Sequence, residues 1–287
     1  MQHKPLSLLA GAAAVALACP WTGVRAQAAE EASQVAAAPL PVETLPQAAT
    51  ASAAPLTANL TLASQYVSRG FRQTWGKPAV QGGVDYAWGN GFSVGTWASS
   101  VSSKFIEGAS TEWDVYAGYS MAVGDLTYGA TLYYYAYPGA RISATGTSYN
   151  YGELMGSVAW KWLTLKYFHT YTRNYFGFED DARGLHSRGS GYLDLTGNFE
   201  LGDGLALSLH AGHQRVKNFG DYSFRDARAA LSKSLDGGWT VTGAYTRAWA
   251  RTDVYDHYTT GALDSSGQPA VSNPTKGTFV VSLTRSF

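Results

Sequence analysis

The sequence predicts an all-β fold: a transmembrane, antiparallel, up-and-down β-barrel of about twelve strands. Three observations carry that expectation. Apolar and polar residues alternate with period two from Thr57 onward. Short Gly/Asn/Asp turns alternate with longer polar connections, the asymmetry of barrels that cross a membrane. Residues 278–287 place Phe279, Val281, Leu283 and Phe287 on one face and Thr278, Ser282, Thr284 and Ser286 on the other.

The strands follow in order. Leu60, Leu62 and Tyr66 alternate with Thr61 and Gln65, and Val80, Val84, Tyr86 and Trp88 with Gln81 and Asp85. Phe92 and Val94 open a third strand in which Trp97 falls on the interior face. Trp113, Val115, Ala117, Tyr119 and Met121 oppose Glu112, Asp114, Tyr116 and Ser120; Leu126, Tyr128, Ala130, Leu132 and Tyr134 oppose Thr127, Thr131 and Tyr133. The sixth strand, near 151–160, is less regular, with Leu154, Val158 and Trp160 as its apolar face. Leu163, Leu165 and Tyr167 then face away from Thr164, Lys166 and Thr170, and Leu193, Leu195, Phe199 and Leu201 from Asp194, Thr196, Asn198 and Glu200. Leu205, Leu207, Leu209 and Ala211 oppose Ser208, His210 and Gln214. Ala227, Ala229 and Leu231 make a weak tenth strand, Trp239, Val241 and Tyr245 an eleventh, and 278–287 the last, expected to close against 58–66.

Short turns fall near 89–91, 123–125, 161–162, 202–204 and 236–238, and long connections near 67–78, 102–110, 136–148, 172–190, 215–222 and 249–276. An even strand count brings both ends of the barrel out beside the short turns. Trp88, Phe92, Trp160, Trp162, Phe199, Trp239 and Phe287 flank those turns as an interface girdle would, although ordinary β-propensity also puts aromatics there. Arg285 interrupts the last apolar face. A lipid-facing Arg costs about 2–4 kcal/mol at the midplane but about 0–1 near the interface, so a position two residues from the end is tolerable.

Composition agrees. Charged residues are 15% of the 287, against roughly 25% in soluble domains, and Gly (32), Tyr (19) and Trp (9) are abundant. The 21 basic and 21 acidic side chains cancel, which removes any electrostatic case for nucleic acid. A soluble sandwich or lipocalin-like barrel would show the same alternation with its apolar face as the core, and low charge and the turn asymmetry weigh against it.

Residues 1–26 read as a signal peptide, with Lys4, an apolar stretch over 6–18 and a small-residue cleavage site ending at Ala26. The stretch is shorter than the roughly 20 residues of a spanning helix. Cys19, the only cysteine, follows an imperfect lipoprotein box, and cleavage after Ala26 is preferred, leaving no thiol for disulfide or metal chemistry. Residues 27–56 are Ala/Pro-rich and read as a flexible periplasmic leader, and 57–287 as the barrel.

Residues 62–86, LASQYVSRGFRQTWGKPAVQGGVDY, resemble the opening hairpin of the TorF porin family. The similarity continues through GFSVGTWAS at 91–99, EWDVYAGY at 112–119 and YYYAYPG at 133–139, and beyond residue 140 it is one of style. The resemblance implies a porin-like barrel in the outer membrane of a Gram-negative bacterium and brings no catalytic residue, cofactor or established substrate. Within the motif, Arg69, Arg72 and Lys77 cluster at the first long loop, where they suit either an anion-attracting pore mouth or a solvated, lipopolysaccharide-facing loop.

On the assigned register Asp85, Glu112, Asp114, Lys166, Asp194, Glu200 and Arg228 point inward as candidate pore-lining residues. So many charges suit a wet lumen better than a dry core. With Trp97, Tyr116, Tyr133 and Phe168 also inside, a narrow channel is expected, and 172–190 is the loop expected to fold into it. The function that follows is passive diffusion of small hydrophilic solutes. The alternative is a non-conducting barrel whose loops bind a partner or surface polymer, and an outer-membrane enzyme is less favoured. Expected partners are outer-membrane lipid and lipopolysaccharide, the barrel-assembly machinery and the solute. Phe279, Val281, Leu283 and Phe287 form the expected assembly signal.

Catalytic motifs are not found: no GxSxG elbow, HExxH pair or P-loop. His210 and His213 point to opposite faces of a strand and cannot share a metal, and His169, His186 and His257 are scattered. Glu179, Asp180 and Asp181 form an acidic run that suits either a divalent cation or plain solvation. No cofactor is expected.

Overall fold

The computed structural model describes residues 55–287, which belong to the larger of two compact units, Ala37–Phe287. The expected signal peptide, its cleavage point, Cys19 and nearly all of the leader lie outside the described residues.

Twelve strands close into one barrel. They are β1 Leu56–Ala63, β2 Ala79–Ala87, β3 Phe92–Ser100, β4 Thr111–Val123, β5 Leu126–Ala136 and β6 Tyr151–Trp160. The second half comprises β7 Leu163–Thr170, β8 Gly191–Gly202, β9 Leu205–Arg215, β10 Phe224–Leu235, β11 Trp239–Ala250 and β12 Thr278–Ser286. Each pairs antiparallel with its neighbours in sequence, and β12 pairs with β1 in the register Asn59↔Ser286 to Ala63↔Ser282. Phe287 extends the seam by exchanging backbone hydrogen bonds with Ala58, at 2.9 and 3.3 Å. No barrel edge is left open, which a bilayer demands because nothing in it can satisfy a bare row of N–H and C=O groups.

The alternation read from the sequence sorts side chains by face. Outward positions are predominantly apolar and exposed: Leu62 is 55% exposed, Leu132 49% and Val281 58%. Inward positions hold buried polar groups, among them Gln81, Glu112, Asp114, Thr131, Glu153, Asp194, Gln214 and Thr246. A soluble protein does the reverse, and seldom exposes contiguous apolar patches beyond a few hundred Å². The belt fits hydrocarbon, and the soluble alternatives fall away.

Aromatic pairs mark the short-turn rim. Tyr86 meets Trp88 at 4.8 Å between ring centroids, Phe92 meets Tyr119 at 4.8 Å, and Trp162 stacks on Phe199 at 5.1 Å. Arg285 sits in this girdle, with its guanidinium 5.7 Å from the Trp239 ring and 5.1 Å from that of Phe287, and donates to the Ser286 carbonyl at 3.0 Å. The residue that interrupts the apolar face is thus held at the interface, its charge placed over ring faces.

Two expectations are corrected. β1 stops at Ala63, so Tyr66 does not continue its outward face; it turns inside, is 1% exposed and packs edge-on against Trp97 at 5.4 Å. The tenth strand is not weak: β10 pairs along its whole length with β11, from Phe224↔Ala250 to Leu235↔Trp239. Its small outward Ala227 and Ala229 carry little hydrophobic signal, yet the ladder needs only backbone.

Candidate functional site

The barrel interior has two unlike halves. Toward the short turns the inward positions are mostly small or hydroxyl-bearing: Ser93, Gly118, Ser120, Thr127, Gly129, Ser157, Thr164, Ser208, Ser232, Thr240, Thr242 and Thr284. Toward the loops they are bulky, charged or aromatic. Short side chains leave space and long ones fill it, so the register describes a vestibule on the short-turn side and a constriction toward the loops. The buried side-chain oxygens of Gln81, Thr131 and Ser208 have no protein hydrogen-bond partner, as expected where water completes the set.

The first long connection, 64–78, crosses this interior. Val67–Ser68 and Phe71–Arg72 pair as a small hairpin whose turn residues, Arg69 and Gly70, both have positive φ (45° and 79°), the combination a type I′ turn uses. Gly70 lies against the β10–β11 wall. A Cβ there would sit 2.6 Å from the Cβ of Ala248 on β11 and 3.0 Å from that of Asp226 on β10, so only glycine lets the tip approach. Phe71 then packs against Phe224 and Tyr255 at 4.6 and 4.9 Å, and the Thr74 hydroxyl accepts from the Tyr66 N–H at 3.0 Å.

Arg69 is the tip's working side chain. It donates from Nη2 to Glu153 Oε2 at 2.6 Å, from Nη1 to Glu153 Oε1 at 3.2 Å, and from Nη1 to Gln214 Oε1 at 2.9 Å. Its guanidinium lies 4.2 Å from the centre of the Tyr192 ring and 5.0 Å from that of Phe168. The Arg69 and Glu153 side chains are 8% and 0% exposed. Four strands, β6 to β9, thus hold one guanidinium brought by a loop from the other side of the barrel. Such a fork-to-carboxylate pair is specific in geometry, and its net contribution depends on keeping both partners.

Beneath it lies a second network. His210 Nε2 is 2.9 Å from Asp226 Oδ2, its Nδ1 is 3.4 Å from Asp194 Oδ2, and Tyr192 OH donates to Asp226 Oδ1 at 3.0 Å. Thr196 donates to Asp194 Oδ1 at 2.8 Å. The strand between makes way: a Cβ on Gly212 would fall 2.1 Å from Tyr192 OH and 2.4 Å from Asp226 Oδ1. Lys166 and Asp194 are register partners, as are His210 and Arg228.

The sequence-derived candidates occupy separate places. Glu112 and Asp114 are buried on the β4 wall, 3% and 2% exposed. Asp85 accepts from Tyr116 OH at 2.6 Å across Gly95 of β3. Lys166, Asp194 and Arg228 share the opposite wall, and Glu200, opposite Ala206, stands exposed at the short-turn rim. Arg69, Arg72 and Lys77 do not form one patch. Arg69 is inside, Arg72 donates to Ser272 Oγ and the Asn273 carbonyl in the last long loop at 2.8 Å each, and Lys77 is exposed. Burial lowers the pKa of Arg72 and raises those of Tyr255 and Tyr258 in that loop.

The loop 171–190 is not the segment that crosses the lumen. It caps the mouth: Tyr175 packs on Tyr151 at 5.0 Å, Phe176 on Tyr149 at 5.3 Å, and Phe178 on Tyr222 at 4.8 Å. Its acidic run is spent on neighbours. Glu179 accepts from Thr147 and Asn174, Asp180 pairs with Arg183 at 2.6 Å, and Asp181 with Arg173 at 3.0 Å. Among the described residues no group of three or more His, Cys, Asp or Glu is placed to hold a metal ion.

A closed twelve-strand antiparallel barrel, apolar outside and charged within, defines a porin-like transmembrane barrel. The fold is shared with a NanC porin, at 11% identity and a TM-score of 0.51, over 79% of this chain and 98% of that one. A KdgM porin is 9% identical over 80% of this chain and 99% of its own, with a TM-score of 0.48. The chain belongs to the Gcw_chp family, described as bacterial protein of unknown function, whose model matches residues 47–287. No curated protein matches it in sequence.

Proposed function

We propose that this barrel is a porin-like channel of the outer membrane through which small hydrophilic solutes diffuse, constricted where the 64–78 hairpin crosses it. The observation that carries the reading is the divided interior: a vestibule lined by small hydroxyl residues leads to one loop-borne arginine. A dry structural core has no use for Glu112, Asp114, Glu153, Asp194, His210 and Asp226 together, whereas a water path solvates or pairs them. The TorF-like motifs at 62–139 support the same reading, as does their content, since they include Arg69 and Gly70. In this reading the short turns face the periplasm, and the last strand is presented to the barrel-assembly machinery.

One observation favours the alternative of a non-conducting, loop-binding barrel: the loop-side half is filled by an aromatic cluster that includes Phe71, Phe105, Tyr151, Phe168 and Tyr255. Swelling of proteoliposomes in graded neutral solutes decides between them. Entry of the smallest sugars and amino acids with exclusion of larger oligosaccharides is expected; no swelling with any solute favours the alternative.

The lumen should also prefer cations. Asp85, Glu112, Asp114, Glu153, Asp194, Glu200 and Asp226 face inward against Arg69, Lys166, Arg228 and His210. Under a KCl gradient the reversal potential is expected on the potassium side, moving toward zero in Asp85→Asn with Glu200→Gln. A chloride-side potential would contradict this charge count.

A further inference from the structure

We propose that the outward, loop-side flank of β7–β11 binds the phosphates of a phosphorylated glycolipid of the lipid A type in the outer leaflet; this rests on the outer-membrane reading above. Outward positions at the loop ends of these strands carry His169 on β7, His213 and Arg215 on β9, Arg225 on β10 and Arg247 on β11, all exposed.

The ladder sets them side by side. His169 and Arg215 both oppose Gly191, and His213 opposes Arg225. Just beyond β9, Lys217 joins them: a Cβ on Gly189 would meet Lys217 Nζ at 3.6 Å and His169 Cε1 at 3.7 Å. Among the described residues no ion pair engages Arg215, Arg225 or Arg247. The corresponding outward positions across the barrel are Leu62, Val80, Ala98, Trp113 and Tyr134, which carry no charge.

Depth and chemistry select the occupant. The stripe borders the apolar belt at Leu165, Leu195 and Leu209, and the Arg247 guanidinium lies 5.3 Å from the ring of the exposed Trp249. An interfacial Trp marks headgroup level, where lipid phosphates lie. Guanidinium forks match phosphate oxygens bidentately, and several in a row suit a headgroup with more than one phosphate. A second copy offering the same basic flank would be repelled.

Native mass spectrometry of the detergent-solubilised barrel tests the assignment, with diphosphorylated lipid A and its dephosphorylated form as probes. The wild type is expected to retain the phosphorylated lipid. The variant carrying Arg215→Gln, Arg225→Gln and Arg247→Gln is expected to bind it about a hundredfold more weakly, roughly a factor of five per cation. Heat-modifiable migration should be the same for both, showing an intact barrel. Equal retention by wild type and variant, equal retention of the two lipids, or a lipid-free oligomer that the substitutions dissociate would each overturn the proposal. Because the substitutions point away from the lumen, failure of the channel reading appears separately, as absence of current from the wild type.

Discussion

Replacing Arg69 by alanine is expected to open the barrel, giving larger and longer-lived single-channel currents than the wild type. The guanidinium is the only group on the 64–78 hairpin that joins it to β6 and β9 through charge-assisted hydrogen bonds among the described residues. Its loss removes a bulky cation from the constriction and also leaves Glu153 buried at 0% exposure without its partner. Removing one member of a buried ion pair costs about 3–5 kcal/mol. That cost falls on the docked hairpin, because an undocked one admits water to Glu153. At about 1.4 kcal/mol per tenfold, the docked-to-undocked ratio drops by about two to three and a half orders of magnitude.

Tyr66 at the base of the hairpin and Phe71 beside its turn still pack against Trp97 and Phe224, and the barrel ladder is untouched, so the barrel itself should stay folded. Two further variants separate the causes. Arg69→Leu with Glu153→Leu removes both charges together and should keep the hairpin docked more often than Arg69→Ala, because no orphaned carboxylate remains. Gly70→Val keeps both charged partners but drives a side chain into Ala248, and should displace the tip and Arg69 with it. Unchanged current in a correctly folded Arg69→Ala barrel would show that the constriction lies elsewhere.

The second large effect is expected at the seam. Deleting Phe287 removes the backbone pair with Ala58 that extends the β1–β12 ladder, and also a ring that carries Arg285. Outer-membrane levels of the deletion variant should fall sharply, with the heat-modifiable form lost. Phe287→Ala distinguishes the two contributions, since alanine keeps the main-chain pair. If the ring is read during assembly, Phe287→Ala should be depleted in cells about as much as the deletion while refolding normally into detergent micelles. If the backbone seam is what matters, Phe287→Ala should assemble normally. Normal levels of both variants would contradict the assignment of Phe279, Val281, Leu283 and Phe287 as an assembly signal.

Local pattern explains what could be read before the structure. Leu193 and Leu195 against Asp194 and Thr196 fix a strand and its inward face with no tertiary information, and the same holds for Glu112, Asp114 and Lys166. Strand parity also carries two weaker signals. Leu154, Val158 and Trp160 share a parity that puts Glu153 inside, and Ala227 and Ala229 do the same for Asp226. The first strand is interrupted by Gly152 and Gly156, which hides Glu153, and on the alanine-faced second the pattern marks Arg228 as inward but does not bring out Asp226.

The crossing hairpin was beyond such reasoning. Residues 67–72 look like loop because they pair only with each other, and the Arg69–Glu153 contact spans two segments with no local relation. The nearest hint was the pair Arg69-Gly70, a turn-forming dipeptide between short β-prone stretches. It did not say where the turn would point. For the same reason local pattern points to 172–190, the longer and more conspicuous loop, as the segment that narrows the lumen.

The central claim is that this barrel encloses a water path narrowed by one loop-borne arginine. Planar-bilayer recording of the purified wild type and of Arg69→Ala, side by side in molar KCl, tests it most directly. The expected result is a small, cation-preferring unitary current from the wild type and a larger one from the variant. Silence from both proteins, folded and inserted under conditions in which a control porin conducts, would contradict it.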